Sequence, residues 1–302
     1  MSDTDLDAEK YEKHRQAGAI LAQVRDEAAE RTEVGTGYLE ISEWAENRIR
    51  ELGEERGVPA EPAFPVNVSV DHEAAHGAAA PGDDRTIGEE MVKLDIGVQV
   101  DGWLADTAVT VDFTGNTELV EAAEQALEAA LDAVGPGVHT GEIGAEIEDV
   151  IDGYGYNPVV NLTGHGLGHW DQHTAPNIPN RAVESGVELE VGDVVAVEPF
   201  ATDGGGKVTE GQQEEIYALE KEASVRNRQA RQALEQIVEE FRTLPFARRW
   251  LDTSRAEMAL RRLQQQGVVH GYPVLQEDKG RLVSQREHTL IVTEDGCEVT
   301  TR

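Results

Sequence analysis

KLDIGVQVDGWLADTAVT, residues 93–110, decides the fold class. Asp101-Gly102 separates two alternating apolar segments, the strongest short-range signal for a two-residue hairpin. With that pair as the turn, Asp95 faces Ala108 across the hairpin and Asp106 faces Gly97. All four side chains then point to one side of the sheet, and the two aspartates are diagonal neighbours about 7–8 Å apart at the backbone. Carboxylates reaching inward from there could hold divalent cations about 3.5–4 Å apart. Gly97 and Ala108 would leave room beside them for ions and water. Pattern alone also allows this to be the wet face of a hairpin, and Asp101 and Asp112 are read in that way.

Acid residues mean little by themselves in this chain. Asp and Glu make up 59 of 302 residues against 26 Lys and Arg, a formal charge of −33. A surface this acidic repels nucleic acid and anionic membranes, so phosphate-backbone binding is a poor hypothesis. The bases are six Lys and 20 Arg, and the charge is spread along the chain rather than blocked at one end. Self-repulsion opposes folding unless salt screens it, and the Debye length shrinks to about 3 Å at 1 M. The composition therefore reads as that of a protein from a salt-adapted organism. The single cysteine, Cys297, excludes an internal disulfide and suits a reducing cytosol. The acidic start MSDTDLDAEKYEK has no apolar h-region, and no segment reaches a membrane-spanning length of about 18 apolar residues. The expectation is a cytoplasmic protein with no membrane partner.

The spacing predicts helices over residues 5–30 and 36–56, the second ended by Gly57 and Pro59. A short strand over 65–70 and the hairpin over 91–112 follow. Residues 117–134 and 141–151 read as helices separated by Gly135-Pro136-Gly137. From Asn157 to Glu198 the pattern is short strands and glycine turns. Residues 212–266 read as richly helical, broken at Pro245, before strands return from Val268. The predicted organisation is an α+β catalytic domain of residues 1–205 and 281–302, interrupted by a helical insert subdomain of residues 206–280. GGGK at 204–207 resembles a phosphate loop only superficially, because Ala201 and Val208 stand where that motif needs Gly and Ser or Thr.

Three further segments carry chemistry-bearing residues. NLTGHGLGHWDQH holds His165, His169 and His173, a third of the chain's nine histidines. Gly164, Gly166 and Gly168 argue against a helix there and for closely approaching backbone. Glu198 ends the apolar run VVAVE, and Pro199 and Phe200 continue that context. A carboxylate so placed is costly unless it is paired or bound to a cation. Glu287 opens EHTLIVT by the same logic, with Arg286 as its alternative partner. Asp95, Asp106, His165, Glu198 and Glu287 together supply four carboxylates and one imidazole. That mix suits a pair of hard-to-borderline divalent cations.

KLDIGVQVDGWLADTAVT, NLTGHGLGHWDQHT, VVAVEPFAT and EHTLIVT together resemble the signature segments of the methionine aminopeptidases. The order Asp, Asp, His, Glu, Glu matches, as does the interval of 11 between Asp95 and Asp106. PAFPVNVSVDHEAAHG is similar to the family's upstream segment and places His76 at its histidine position. The insert between Glu198 and Glu287 is what marks the type II (archaeal and eukaryotic) enzymes.

The resemblance implies the pita-bread fold, a central antiparallel sheet flanked by helices plus the insert. It also implies two divalent metal ions per chain (Co, Mn, Fe, Zn or Ni) and removal of the initiator methionine when the second residue is small. By that resemblance Asp95 chelates one metal, His165 and Glu198 the other, and Asp106 and Glu287 bridge both. Glu198 shuttles the proton from the activated water, and His76 and His173 contact substrate and stabilise the scissile carbonyl and oxyanion. His169 has no implied role. Gln172 and Arg286 depart from the family's usual apolar and aromatic residues. The implied partners are N-termini of nascent polypeptides near the ribosome, and the implied state is a monomer. An Xaa-Pro dipeptidase or aminopeptidase shares the fold and ligands but usually carries a sizeable extra N-terminal domain. A non-catalytic, RNA-binding relative would be expected to lose ligands and gain basic patches. Ser2 is small, so self-removal of Met1 is also expected.

Overall fold

The computed structural model describes residues 3–253 and 255–302, with side chains from residue 8 onward. The expected processing at Met1 and Ser2 lies outside the described residues.

Two helices come first, α1 (Asp3–Arg31) and α2 (Tyr38–Arg56). The second starts at Gly37 with Glu40 reaching back to the cap. It stops at Gly57, whose φ of 67° is the left-handed value that glycine supplies cheaply. The strands β1 (Ala60–Pro62), β2 (Asn67–Val70), β3 (Glu73–Ala75), β4 (Met91–Val100) and β5 (Trp103–Asp112) follow. β4 pairs with β5 in the register read from sequence, Asp95 with Ala108 and Gly97 with Asp106. The turn residues Asp101 and Gly102 both have positive φ, as a type I′ turn requires. β4 also pairs with β1 and β2. Strand alternation then sorts the faces. Leu94, Ile96 and Val98 pack in one core with Ile20, Leu21 and Val24 of α1 and Ile41, Ile49 and Leu52 of α2. Asp95 and Gly97 face the other way.

The next stretch holds α3 (Thr117–Ala133), α4 (Thr140–Gly153), β6 (Asn157–Pro158), β7 (Thr163–Gly168), β8 (Asp171–Pro179), β9 (Val194–Val197) and β10 (Phe200–Thr202). After it come β11 (Thr209–Leu219), α5 (Arg228–Gln236), β12 (Phe246–Ala247), α6 (Ala256–Gln265), β13 (Val269–Gln276), β14 (Val283–Gln285), β15 (His288–Thr293) and β16 (Gly296–Val299). A five-stranded ladder in the order β16-β15-β9-β7-β8 carries α3 and α4 on one face. Leu127, Ile147, Val195, Val197, Leu290 and Val292 share that core. Val194, Ala196 and Glu198 point to the opposite face by alternation. The strand pairings among the described residues are all antiparallel. Thr289 joins the halves: its hydroxyl donates to Asp106 O at 2.8 Å and accepts from Asp106 N at 2.7 Å. Helices thus lie outside, and the two inner sheet faces meet around the ligand-bearing strands.

The segment from residue 212 is not helical at its start. β11 runs to Leu219, and among the described residues the helical parts are α5, a π-helical turn over Ile237–Phe241, a 3-10 turn over Arg248–Trp250 and α6. Gln212, Gln213, Glu214 and Glu215 are good helix formers, but Ile216, Tyr217 and Ala218 are buried and pair with β13. Tertiary pairing overrides local propensity there. β13 in turn pairs with β3, whose end delivers His76. No helix among the described residues is long and apolar enough to cross a membrane.

Candidate metal centre

The five candidate ligands, which arise from β4, β5, β7 and the flanks of β9 and β15, converge on one cavity of about 300 Å³. Ligand atoms of Asp106, His165 and Glu287 all lie within 4.8 Å of one another. His165 Nε2 is 3.9 Å from Asp106 Oδ2 and 3.7 Å from Glu198 Oε1. Asp95 and Asp106 are diagonal neighbours on one face of the β4–β5 hairpin, and the Asp95 charge acts on Asp106. Asp106, His165 and Glu287 are buried, at 3%, 5% and 2% exposure.

This crowding has an electrostatic signature. Burial lifts the Asp95 carboxyl to about 6, opposed by its hydrogen bond from Asn67. Burial, and then the charges of the neighbouring acids, push Asp106, Glu198 and Glu287 well above the usual carboxylate range. Burial also holds the His165 imidazole neutral, down to about 3. Among the described residues lining the cavity there is no Lys or Arg to offset the acids. Asp95 Oδ1 and Asp106 Oδ1 are buried without a hydrogen-bond partner. Four uncompensated carboxylates, two orphaned oxygens and a neutral imidazole fit divalent cations, which would supply the missing charge and accept those lone pairs.

His76 and His173 line the same cavity. His76 sits at a φ of 65°, a left-handed value uncommon for a side-chain-bearing residue. Its Nδ1 is 3.1 Å from Pro273 O, an atom that can only accept, so Nδ1 carries the proton. Burial keeps that ring neutral, down to about 4. Nε2 is therefore a hydrogen-bond acceptor. His173 stacks edge-on against His165 with ring centres 4.4 Å apart.

Three sequence expectations change at the site. The space beside Gly97 is not left for ions: a Cβ there would stand 2.2 Å from the Phe64 ring, which occupies it. Arg286 does not pair with Glu287 and instead approaches Glu124 at 3.9 Å, because neighbouring residues of an extended segment face opposite ways. His169 is accounted for outside the cavity. It stacks on Trp103 at 4.5 Å and bonds Asp101 O at 2.8 Å, fastening the β7–β8 turn to the β4–β5 turn. Asn67, Phe64 and Gln285 were missed altogether. No local pattern marks them, since their place beside the ligands depends on which strands become neighbours.

Comparison with known proteins agrees with this geometry. The profile described as metallopeptidase family M24 matches residues 12–294. The chain belongs to family M24. A methionine aminopeptidase of Archaeoglobus fulgidus is 50% identical over 298 residues, covering 98% of this chain and all of that protein. Among solved structures, a thermophilic Arx1 superposes with a TM-score of 0.86 at 21% identity, covering 97% of this chain and 90% of that one. The methionine aminopeptidase of Rickettsia prowazekii gives a TM-score of 0.70 at 21% identity, with 98% of each chain covered. These two likenesses show the fold, the pita-bread architecture of family M24. An M24 member with this donor set is a metal-dependent hydrolase.

Proposed function

We propose that this family M24 chain removes the N-terminal methionine from polypeptides whose second residue is small. The observation that carries the reading is the convergence of Asp95, Asp106, His165, Glu198 and Glu287 on one cavity with no Lys or Arg among its described lining residues, in a chain 50% identical to a methionine aminopeptidase over nearly its whole length. That identity also leaves the Xaa-Pro peptidase reading with less support.

Asp95 would hold one divalent cation, His165 and Glu198 the other, with Asp106 and Glu287 shared between them. Two bound cations would lower the pKa of water to supply the nucleophile and polarise the scissile carbonyl. Glu198, at the cavity edge of its strand, would take the proton from that water and pass it to the leaving amine. His173, on the wall of the same cavity, would donate to the developing oxyanion. His76 divides the labour differently from the sequence expectation: with Nδ1 committed to Pro273 O, its Nε2 would accept from the scissile N–H.

The proposed domain division is catalytic residues 1–205 and 281–302 with an insert of 206–280. Its support is a separate apolar core that joins Tyr217, Leu234, Ile237, Phe246, Leu260 and Val269. Cytoplasmic location, a monomeric state, nascent chains near the ribosome as substrates and adaptation to salt complete the reading.

The test is release of Met from Met-Ala-Ser, set against cleavage of Xaa-Pro peptides, in molar KCl with and without chelator. Met release that chelator abolishes and a divalent cation restores is expected. Xaa-Pro cleavage alone, or chelator-insensitive Met release, would overturn the reading.

A further inference from the structure

Gln172 and His173 are consecutive, and an unbroken strand would turn them to opposite faces. The pairing of β8 with β7 shifts register at that point. Gly166 pairs with Thr174 and Gly168 with Asp171, so Gln172 and His173 both stand opposite the single residue Leu167. This is a β-bulge, a device that re-aims side chains beside functional sites. Both residues consequently line the cavity.

From the bulge, Gln172 Nε2 donates to Asp106 Oδ2 at 3.3 Å. The other oxygen, Asp106 Oδ1, is the buried one left without a partner. The amide thus fixes one carboxylate oxygen and leaves its twin available. Asn67 Nδ2 treats Asp95 Oδ2 the same way at 3.2 Å. Asn67, however, sits directly opposite Asp95 in the sheet, whereas Gln172 reaches Asp106 from a different ladder. Gln172 is also half-exposed and lines the cavity, so its side chain forms part of the surface a bound substrate meets. An amide donor orients a carboxylate without adding a positive charge that would compete with bound cations.

Resting on the reading of Asp106 as a metal ligand, we propose that Gln172 is a positioning residue that couples the substrate cavity to the metal centre. It holds Asp106 in its ligating orientation through Nε2 while its side chain forms part of the wall against which substrate packs. Metal affinity and turnover therefore both depend on it.

The experiment titrates Mn²⁺ alone into metal-stripped wild type, Gln172→Leu, Gln172→Met and Asp106→Ala by calorimetry. Visible spectra of the Co²⁺-loaded forms and steady-state cleavage of Met-Ala-Ser accompany it. Both Gln172 variants are expected to keep the metal-free melting temperature and to bind Mn²⁺ about tenfold or more weakly, the range typical of a lost ligand-orienting partner. A shifted Co²⁺ d–d band and a lowered kcat should accompany that loss. Unchanged Mn²⁺ affinity and Co²⁺ spectrum with only KM altered would reduce Gln172 to a wall and overturn the proposal. If Asp106→Ala itself binds Mn²⁺ like wild type, the ligand assignment fails instead, and the two failures are distinguishable.

Discussion

Gly97 lies directly across the β4–β5 hairpin from Asp106, and the ring of Phe64 fills the space where a Cβ on Gly97 would stand. Phe64 also lines the ligand cavity. A glycine is therefore needed here to let an aromatic ring pack against the strand that carries Asp95. Gly97→Ala should displace Phe64, cost about 1–3 kcal/mol through overpacking, and raise KM for Met-Ala-Ser more than it lowers kcat. Thermal unfolding and steady-state kinetics read both effects; a wild-type KM would show that Phe64 does not shape the substrate cavity.

Metal removal should lower stability because the centre assembles only when folded. A cation that binds the native chain alone stabilises it by about 2.7 kcal/mol at a hundred times its Kd. Scanning calorimetry with chelator and with added Mn²⁺ should show that gap in wild type. Asp106→Ala should lose most of the gap and all detectable turnover. Retention of the wild-type rate in that variant would mean the centre is misassigned.

Why the aspartates were legible and their companions were not follows from the range of the signals. The hairpin register is local: Asp101-Gly102 fixes the pairing of Asp95 and Asp106 within eighteen residues of sequence, and the structure keeps it. Glu198 and Glu287 were readable as acids in apolar runs, a short-range conflict between burial and charge. Asn67 and Gln285 hydrogen-bond to the candidate ligand carboxylates only because β2 pairs with β4 and because β14 pairs with β10, just after Glu198, relations no local window contains. The bulge at Gln172 and His173 depends on a mismatch of strand lengths between β7 and β8. β11 was misread because its residues are helix formers and its partner β13 lies some fifty residues on.

His14 makes stability depend on acid pH. It is buried, with Nδ1 2.6 Å from Leu104 O and a ring edge on Trp103. Burial, aided by Lys10 and His169, lowers its pKa from 6.5 to about 4. The unfolded chain therefore binds a proton that the folded chain refuses between those values, so stability falls as pH drops from about 6.5 towards 4. The contribution approaches about 3 kcal/mol at the acid end, at 1.36 kcal/mol per pH unit. His14→Gln keeps a donor for Leu104 O but cannot titrate. Denaturant melts across pH 4–7 should show a flatter curve for the variant; parallel curves would rule out His14 as the source.

The formal charge of −33 predicts a strong salt requirement. Raising ionic strength from 0.1 to 1 M shortens the Debye length from about 10 to 3 Å, which removes most repulsion between surface carboxylates. Exposed ion pairs such as Arg15–Glu298 weaken under the same change, but such pairs contribute little. The melting temperature should therefore rise steeply with KCl. One that is equal in dilute buffer and molar KCl would contradict the salt-adapted reading.

The proposed insert is fastened to α2 by a buried ion pair whose disruption should be costly. Arg249, just after β12, pairs with Glu46 of α2, and Trp250 Nε1 donates to the same carboxylate at 3.0 Å. Both partners are nearly inaccessible, at 6% and 5% side-chain exposure, and Arg249 Nε and Nη1 have no partner at all. Removing one charge strands the other in a dry setting, so Glu46→Ala or Arg249→Ala should each cost about 3–5 kcal/mol. Replacing both by apolar residues of similar volume, Glu46→Leu with Arg249→Met, should cost far less than the sum, because neither desolvated charge then remains. A double-mutant cycle measured by denaturant unfolding gives the coupling directly. If the insert unfolds as a separate unit, the single variants should also split the transition into two, the first lost with the fluorescence of Trp250. Additive losses in a single transition would mean that the pair does not tie the insert to α2.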